Sequence, residues 1–193
     1  VQMIQESNFH VGYMLRQRSN RYQNDTAFNV INKDHLKTLT YSALWSLVVQ
    51  VGRSISTFET EDQKPIIGLI THNQLNGVLV DLACLSFGYR VIPLPLNATP
   101  DHISYIADHS DITHLFVGGQ SGNRLWREVH DKESIITVSL DNDETTSDLI
   151  QWETFLEQGD KSLDFEIDGR LASVSINNIQ TIMYTSGTTD DPK

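Results

Sequence analysis

The segment "YTSGTTDDPK", from Tyr184 to Lys193, holds the residues whose types and spacing are best suited to chemistry. Gly187 lets the backbone approach a ligand closely, and the hydroxyl side chains around it can donate hydrogen bonds together with backbone amides. Pro192 restricts the end of the loop, and Lys193 supplies a mobile positive charge. This combination predicts a loop that holds a phosphate group.

The loop is different from a Walker A loop. That motif needs a Gly directly before the Lys and a Ser or Thr after it, whereas here Pro192 precedes Lys193. An ordinary Ser/Thr/Gly turn is the alternative, but a single Gly or a lone Lys would be a much weaker signal than this ordered string.

Strand-like and helix-like segments alternate upstream of the loop, which indicates an α/β fold with a mainly parallel sheet flanked by helices. Predicted strands cover 65–71, 90–96, 113–119, 134–140 and the residues from 178 onward, and predicted helices cover 42–58, 74–87, 99–110, 123–130 and 146–157. Two short strands around Lys33-Asp34-His35 predict an N-terminal hairpin. The loop follows the last strand, and ligands of such sheets lie at the carboxyl ends of the strands.

Local signals set several of these boundaries. Thr99 followed by Pro100 predicts a helix start, Asn73 is a candidate N-cap, and Gly88 is placed to end a helix. The helix after Pro100 is expected to turn Ile103 and Ile106 inward. Pro93 and Pro95 predict that their strand lies at a sheet margin or ends there.

Composition excludes some classes of function. The chain has 14 Lys and Arg against 25 Asp and Glu, a net charge of -11, which argues against a nucleic-acid groove. The single cysteine, Cys84, excludes an intramolecular disulfide and is predicted to pack in the core.

His102, His109 and His114 fit no common zinc spacing, so they are expected to face solvent or lie at helix ends. The tryptophans Trp45, Trp126 and Trp152 are spread over three predicted helices and are expected to pack within the protein rather than to stack on a ligand. The acidic stretch "SLDNDETTSD" predicts a solvated surface segment.

At Tyr184–Lys193 the sequence resembles the adenylate-forming superfamily, which includes acyl-CoA synthetases, peptide-synthetase adenylation domains and beetle luciferases. The family's phosphate loop reads Tyr-Thr-Ser-Gly-Thr-Thr-Gly-x-Pro-Lys, and only Asp190 departs from it. The likeness extends upstream through "LTYSALWSLVVQVGRSI" and the segments that follow, and covers about Thr26 to Lys193. The context "TIMYTSGTT" resembles the long-chain fatty acid CoA ligases of this family.

The resemblance implies a two-step reaction, in which a carboxylate attacks ATP to form an acyl-adenylate and the acyl group then passes to coenzyme A. It implies ATP, Mg²⁺ and coenzyme A as cofactors or co-substrates, and a fatty acid or other small carboxylate as substrate. The residues it assigns to the β- and γ-phosphates are Thr185, Ser186, Gly187, Thr188, Thr189 and Lys193. Lys193 would act electrostatically and not as a general base.

The family's remaining catalytic segments follow the phosphate loop, so no catalytic residue is assigned within this sequence and the isolated stretch is expected to be inactive. The expected organisation is an N-terminal helical lead-in over 1–25 and the N-terminal part of an AMP-binding large domain over 26–193. Asp190 places negative charge beside a negative ligand. It therefore either faces away from the phosphate or weakens ATP binding.

Alternative functions stay open from the sequence. One is the adenylation domain of a peptide synthetase, which activates an amino acid. Another is a degenerate, non-catalytic domain that binds nucleotide weakly or serves as an interaction surface. We expect a cytoplasmic protein without a signal peptide or transmembrane segment. Contact with a membrane surface stays open, and open strand edges predict self-association.

Overall fold

The computed structural model describes residues 8–32, 35–129, 134–141, 148–160 and 165–184. The helices within these ranges are α1 Val11–Arg21, α2 Tyr41–Ser56, α3 Leu75–Phe87, α4 Pro100–His109, α5 Gly119–Glu128, α6 Trp152–Asp160 and α7 Ile167–Ser173. The strands are β1 Thr26–Asn32, β2 His35–Thr40, β3 Ile66–Ile70, β4 Arg90–Pro93, β5 His114–Val117 and β6 Ile136–Ser139. α1 lies within 1–25, the range of the proposed lead-in, and β1 and β2 form the predicted hairpin.

A parallel four-stranded sheet in the order β4-β3-β5-β6 forms the centre of the fold. β3 pairs with β4 on one side and with β5 on the other. Parallel bridges from Val91 to Thr181 and from Val138 to Ile150 add chain at both margins. The carboxyl ends of all these strands lie at one edge of the sheet. We call residues 71–74, 94, 118–119 and 140–141, which follow the strands there, the carboxyl edge.

Helices cover both faces of this sheet, as the near-continuous apolar strands predict. One core joins the sheet to α1, α2, α3, α6 and α7, and the other joins it to α4 and α5. The first core contains the strand residues Ile67, Val91, Phe116 and Val138, and the second contains Ile70, Ile92, Leu115 and Val117. The mainly parallel α/β fold expected from the sequence is therefore confirmed.

Helix boundaries agree with the sequence where a local signal sets them. The Thr99 hydroxyl accepts a hydrogen bond from the His102 amide, and Pro100 opens α4, which buries Ile103 and Ile106. Gly88 ends α3 in the left-handed conformation, with a φ of 75°. β4 ends at Pro93, and each of the three tryptophans lies in a helix.

Other boundaries differ from the prediction. The N-cap of α3 is Gln74 and not Asn73. α5 begins at Gly119, four residues before the predicted start at Asn123, and α6 begins at Trp152 rather than near residue 146. α7 has no counterpart in the prediction. Most of the acidic stretch, residues 142–147, lies outside the described residues.

His114 was expected to face solvent or lie at a helix end, and this expectation was wrong. It is a buried residue of β5, and its ring stacks on Phe58 with 4.2 Å between the centroids. The Thr113 hydroxyl lies 2.8 Å from its Nδ1. His102 and His109 are exposed, as expected. Cys84 is fully buried, and burial raises the pKa of its thiol, which agrees with a packing role.

The contact between α6 and α2 gives a stability prediction. A Cβ added at Gly159 would lie 2.7 Å from both the Cα and the backbone nitrogen of Ser54, which cannot move as a side chain can. We expect Gly159→Ala to lower the free energy of unfolding by about 1–3 kcal/mol, measured by urea denaturation. The matched control is Gly169→Ala, whose added Cβ meets the flexible Glu166 carboxylate. Equal midpoints for the two variants would contradict this close contact.

The buried His114 predicts a pH dependence. Burial lowers its pKa from 6.5 to about 4, so between these values the unfolded state binds a proton that the folded state does not. The free energy of unfolding should therefore fall as the pH drops from about 6.5 to about 4. His114→Gln should flatten this part of the profile, as read from urea midpoints. The exposed His102→Gln is the control and should keep the wild-type slope; a flat wild-type profile would argue against the buried neutral imidazole.

Candidate functional site

The predicted phosphate-loop residues lie outside the residues that the structure describes. These are Thr185, Ser186, Gly187, Thr188, Thr189 and Lys193, together with Asp190. The described residues include Tyr184, the first residue of the signature, and the chain that leads into the loop. Segment 180–184, which we call the approach segment, therefore defines the position of the candidate site.

The approach segment continues the sheet beside β4. The Val91 amide donates to the Gln180 carbonyl at 2.8 Å, and the Ile182 amide donates to the Val91 carbonyl at 3.2 Å. The Val91–Thr181 bridge is parallel, so the segment runs in the direction of β4. Tyr184 consequently lies toward the carboxyl edge, where the sequence predicted that the loop would emerge.

Tyr184 is held by the end of helix α4. Its hydroxyl group and Nδ1 of His109 form a hydrogen bond of 2.6 Å. The two rings meet edge to face at 85°, and Tyr105 stacks on His109 with 5.5 Å between the centroids. Ile182 and Tyr184 also pack against the core formed with α4 and α5. No local pattern indicates this contact, because His109 and Tyr184 are 75 residues apart.

Polar groups that the sequence analysis did not assign to a site gather at the carboxyl edge. The Gln74 side-chain amide donates to the Thr71 hydroxyl at 2.7 Å, and the Gly119 amide donates to the Asp141 carboxylate at 2.5 Å. The strand order sends the chain from β3 and β5 to opposite sides of the sheet, and ligands bind at such topological switch points. Gly119 has a φ of 74°, a conformation that suits glycine, so the glycine pair after β5 was the available sequence signal.

An ion-pair network secures α7, the helix that precedes the approach segment. Both Nη atoms of Arg170 donate to the Glu59 carboxylate, at 2.8 and 2.9 Å. The Tyr89 hydroxyl donates to Glu59 at 2.8 Å and accepts from Arg170 at 3.0 Å. Tyr89 is fully buried, and both charged side chains are less than a quarter exposed.

The network shifts the pKa values of its members. Burial alone would raise the pKa of Glu59, but hydrogen bonds from Arg170 and Tyr89 lower it overall. Hydrogen bonding to Glu59 raises the pKa of Arg170. Burial and then the Glu59 charge raise the pKa of Tyr89. The carboxylate and the guanidinium are therefore charged, and the phenol is neutral, at neutral pH.

The amino-terminal residues hold the chain that follows α7. The Asn8 side chain donates to the Val174 carbonyl at 2.5 Å and accepts from the Ile176 amide at 3.0 Å. Nε2 of His10 lies 2.9 Å from the Leu171 carbonyl. Residues 171–176 are thus tied to the start of the described chain before the approach segment joins the sheet.

In the residues that the structure describes, no three His, Cys, Asp or Glu side chains come together as metal ligands. In the same part of the chain, none of the helices combines the length and apolar character needed to cross a bilayer.

In parallel α/β sheets ligands bind outside the carboxyl ends of the strands, and here the hydroxyl-rich sequence follows the approach segment, which runs toward that edge. Residues 15–193 match the profile of the family described as AMP-binding enzyme, so the chain belongs to that family.

Curated relatives carry the names of long-chain acyl-CoA synthetases. Long chain acyl-CoA synthetase 4 of Arabidopsis thaliana is 26% identical over 166 residues, which cover 80% of this chain and 24% of that protein. The long-chain-fatty-acid–CoA ligase ACSBG2 of Mus musculus is 21% identical over 193 residues, covering 97% of this chain and 29% of that protein. The chain thus spans roughly a quarter of the length of these relatives.

Solved structures agree on the fold. The N-terminal domain of FACL13 from Mycobacterium tuberculosis superposes with a TM-score of 0.68 at 17% identity, covering 95% of this chain and 43% of that one. The anthranilate CoA ligase AuaEII gives a TM-score of 0.72 at 17% identity, covering 95% and 33%. At such identities the likeness shows the shared α/β architecture alone.

The Arg170–Glu59 pair predicts a stability effect with an internal control. Arg170→Leu should lower the free energy of unfolding by roughly 2–3 kcal/mol, because it leaves a half-buried carboxylate without its charged partner. Arg16→Leu removes another ion pair to α7, with Asp168, whose side chains are 37% and 67% exposed. That loss should be below about 1 kcal/mol.

The pH dependence separates this ion pair from simple packing. The pKa of Glu59 is lowered by folding, so the stability it contributes is present above about 4.5 and is lost as the pH falls through its folded value. The difference between wild type and Arg170→Leu in urea denaturation should therefore shrink at acid pH. A difference that does not change with pH would assign the effect to lost packing.

Proposed function

We propose that the protein is an ATP-dependent acyl-CoA synthetase, and that this chain supplies its phosphate-binding loop. The observation that carries the proposal is the position of the signature "YTSGTTDDPK", which begins where the approach segment leaves the parallel sheet beside β4. Membership of the AMP-binding enzyme family and relatives named as acyl-CoA synthetases support the same reaction.

The proposed chemistry has two steps. An oxygen of the substrate carboxylate attacks the α-phosphorus of ATP, and the bond to the leaving pyrophosphate breaks, which gives an acyl-adenylate. The thiol sulfur of coenzyme A then attacks the acyl carbon, and AMP leaves as the thioester forms. Both the attack and the departure of pyrophosphate benefit from stabilisation of negative charge at the phosphates.

Each loop residue has a proposed role. The hydroxyl and amide donors of Thr185, Ser186, Thr188 and Thr189, with the amide of Gly187, would surround the β- and γ-phosphates. Lys193 would add positive charge without acting as a base. Mg²⁺, when bound with ATP, would offset the charge of the phosphates. The domain arrangement expected from the sequence, a lead-in over 1–25 followed by the N-terminal part of the large domain, belongs to this proposal.

A fatty acid is the proposed carboxylate, because the relatives above are named for long-chain acyl substrates. We also propose a cytoplasmic location, although some relatives carry the word peroxisomal in their names. Contact with a membrane surface and self-association through open strand edges remain part of the proposal.

A second candidate, a degenerate nucleotide-binding domain, is favoured by Asp190 alone. The family has Gly at this position, and an Asp carboxylate that faces the phosphates would repel them. Asp190→Gly should then tighten ATP binding in the whole protein, as measured by equilibrium dialysis with labelled ATP. Unchanged binding would show that the Asp190 carboxylate faces away and would remove this argument.

The test of the synthetase is exchange of labelled pyrophosphate into ATP by the whole protein. We expect exchange that depends on a long-chain fatty acid and that falls about 100-fold or more in Lys193→Ala, because a cation at the leaving pyrophosphate is lost. Lys37→Ala removes an exposed lysine of β2 and is the matched control.

The substrate dependence distinguishes the alternatives. Exchange that depends on an amino acid and not on a fatty acid would indicate a peptide-synthetase adenylation domain. Binding of ATP without exchange for either class would support the degenerate domain. Full exchange in Lys193→Ala would contradict the role proposed for this lysine.

A further inference from the structure

Helix α4 is a rigid element that contacts the last described residue before the phosphate loop. Ile103, Ile106 and Ala107 bury its inner face. Its first turn is capped by the Thr99 hydroxyl, and the Ser110 hydroxyl donates to the Ile106 carbonyl at 2.5 Å. With both ends bonded and one face in the core, α4 holds the residues of its last turn in a fixed place.

The approach segment is held less firmly. In the described chain, two backbone hydrogen bonds join it to the sheet: the Val91 amide donates to the Gln180 carbonyl, and the Ile182 amide donates to the Val91 carbonyl. Met183 is 71% exposed, so the chain between Ile182 and the loop contributes little to the core. Tyr184 provides the next attachment, through its ring and its hydroxyl group.

His109 supplies that attachment from α4. Its Nδ1 meets the Tyr184 hydroxyl at 2.6 Å, and its ring lies between Tyr105, which stacks on it, and Tyr184, which meets it edge to face. The stack with Tyr105 restricts the rotation of the imidazole, so Nδ1 is kept toward the Tyr184 hydroxyl. Thr185 follows Tyr184 directly in the sequence.

We propose that His109 is a positioning residue for the phosphate loop: through Tyr184 it fixes the place and direction in which the chain leaves the sheet. This rests on the proposed function, in which the loop binds the phosphates of ATP. His109 contacts no substrate in this account. Its effect is to restrict the backbone at Tyr184, from which the loop continues, so that less conformational entropy of this segment is lost when ATP binds.

The variants separate the hydrogen bond from the presence of a side chain. His109→Ala removes the bond, and Tyr184→Phe removes it from the other side while keeping the ring. Asn places a polar atom near the position of Nδ1, whereas Gln places one near Nε2. His109→Asn should therefore preserve the function that His109→Gln loses. The exposed His102, on the first turn of the same helix, gives the control His102→Ala.

The kinetic readout is pyrophosphate exchange by the whole protein at varied ATP. We expect the KM for ATP to rise about 3- to 10-fold in His109→Ala, His109→Gln and Tyr184→Phe, which corresponds to one hydrogen bond. kcat should change less than about 2-fold. The double variant His109→Ala/Tyr184→Phe should be no worse than either single one. An unchanged KM in His109→Ala, or equal effects of Asn and Gln, would overturn the proposal.

A second readout does not depend on activity. Hydrogen exchange of the amides in 181–193 should be faster in His109→Ala than in wild type or His102→Ala, because the loop loses an attachment. Equal exchange rates would refute the positioning role even in an active enzyme. A wild type without pyrophosphate exchange would instead refute the proposed function, and faster amide exchange in His109→Ala would then still show that His109 restrains this segment.

Discussion

The pairing of β3 with both β4 and β5 is the constraint on which the rest of the structure depends. β3 is the inner strand that both neighbours share, and its register fixes where each of them ends. Gly68 makes this possible, because a Cβ there would lie 2.8 Å from the Leu115 side chain and 3.0 Å from that of Ile112. Since the four strands of this sheet are parallel, the connections that follow them all start from the same edge.

The charged network lies at the opposite edge of the sheet. Glu59 precedes β3, Tyr89 precedes β4, and Arg170 reaches Glu59 from α7. Both carboxylate oxygens of Glu59 accept hydrogen bonds from Arg170 or Tyr89. The cost of removing the charges from water is therefore offset by hydrogen bonds as well as by the attraction between the charges. The fold thereby places this ion pair away from the edge at which the predicted phosphate loop begins.

The sequence predicted the fold well where short-range chemistry controls it. Thr99 with Pro100 and Gly88 act within one turn of the residues that they cap, so their roles can be read locally. It failed where a distant residue decides. Gly118 and Gly119 were expected to end a strand, but α5 begins there because Asp141, 22 residues away, accepts the Gly119 amide. His114 is buried against Phe58, which lies in the connection between α2 and β3 and is distant in sequence. α7 was missed because a helix of seven residues is too short to show a clear periodic pattern.

The candidate site divides in the same way. The type of loop is predicted from its own residues, because hydroxyl groups, glycine and lysine suit a phosphate wherever they lie in the fold. The position of the approach segment could not be predicted, since it is joined to β4 and α4, which lie about 75 to 90 residues earlier. At the carboxyl edge the Asp141 carboxylate is already bonded to a backbone amide, while Thr71 and Gln74 are neutral. A strongly acidic chain can therefore present an edge that repels phosphate less than its net charge of -11 suggests, because repulsion between charges depends on their local distance and exposure more than on the sum over the molecule.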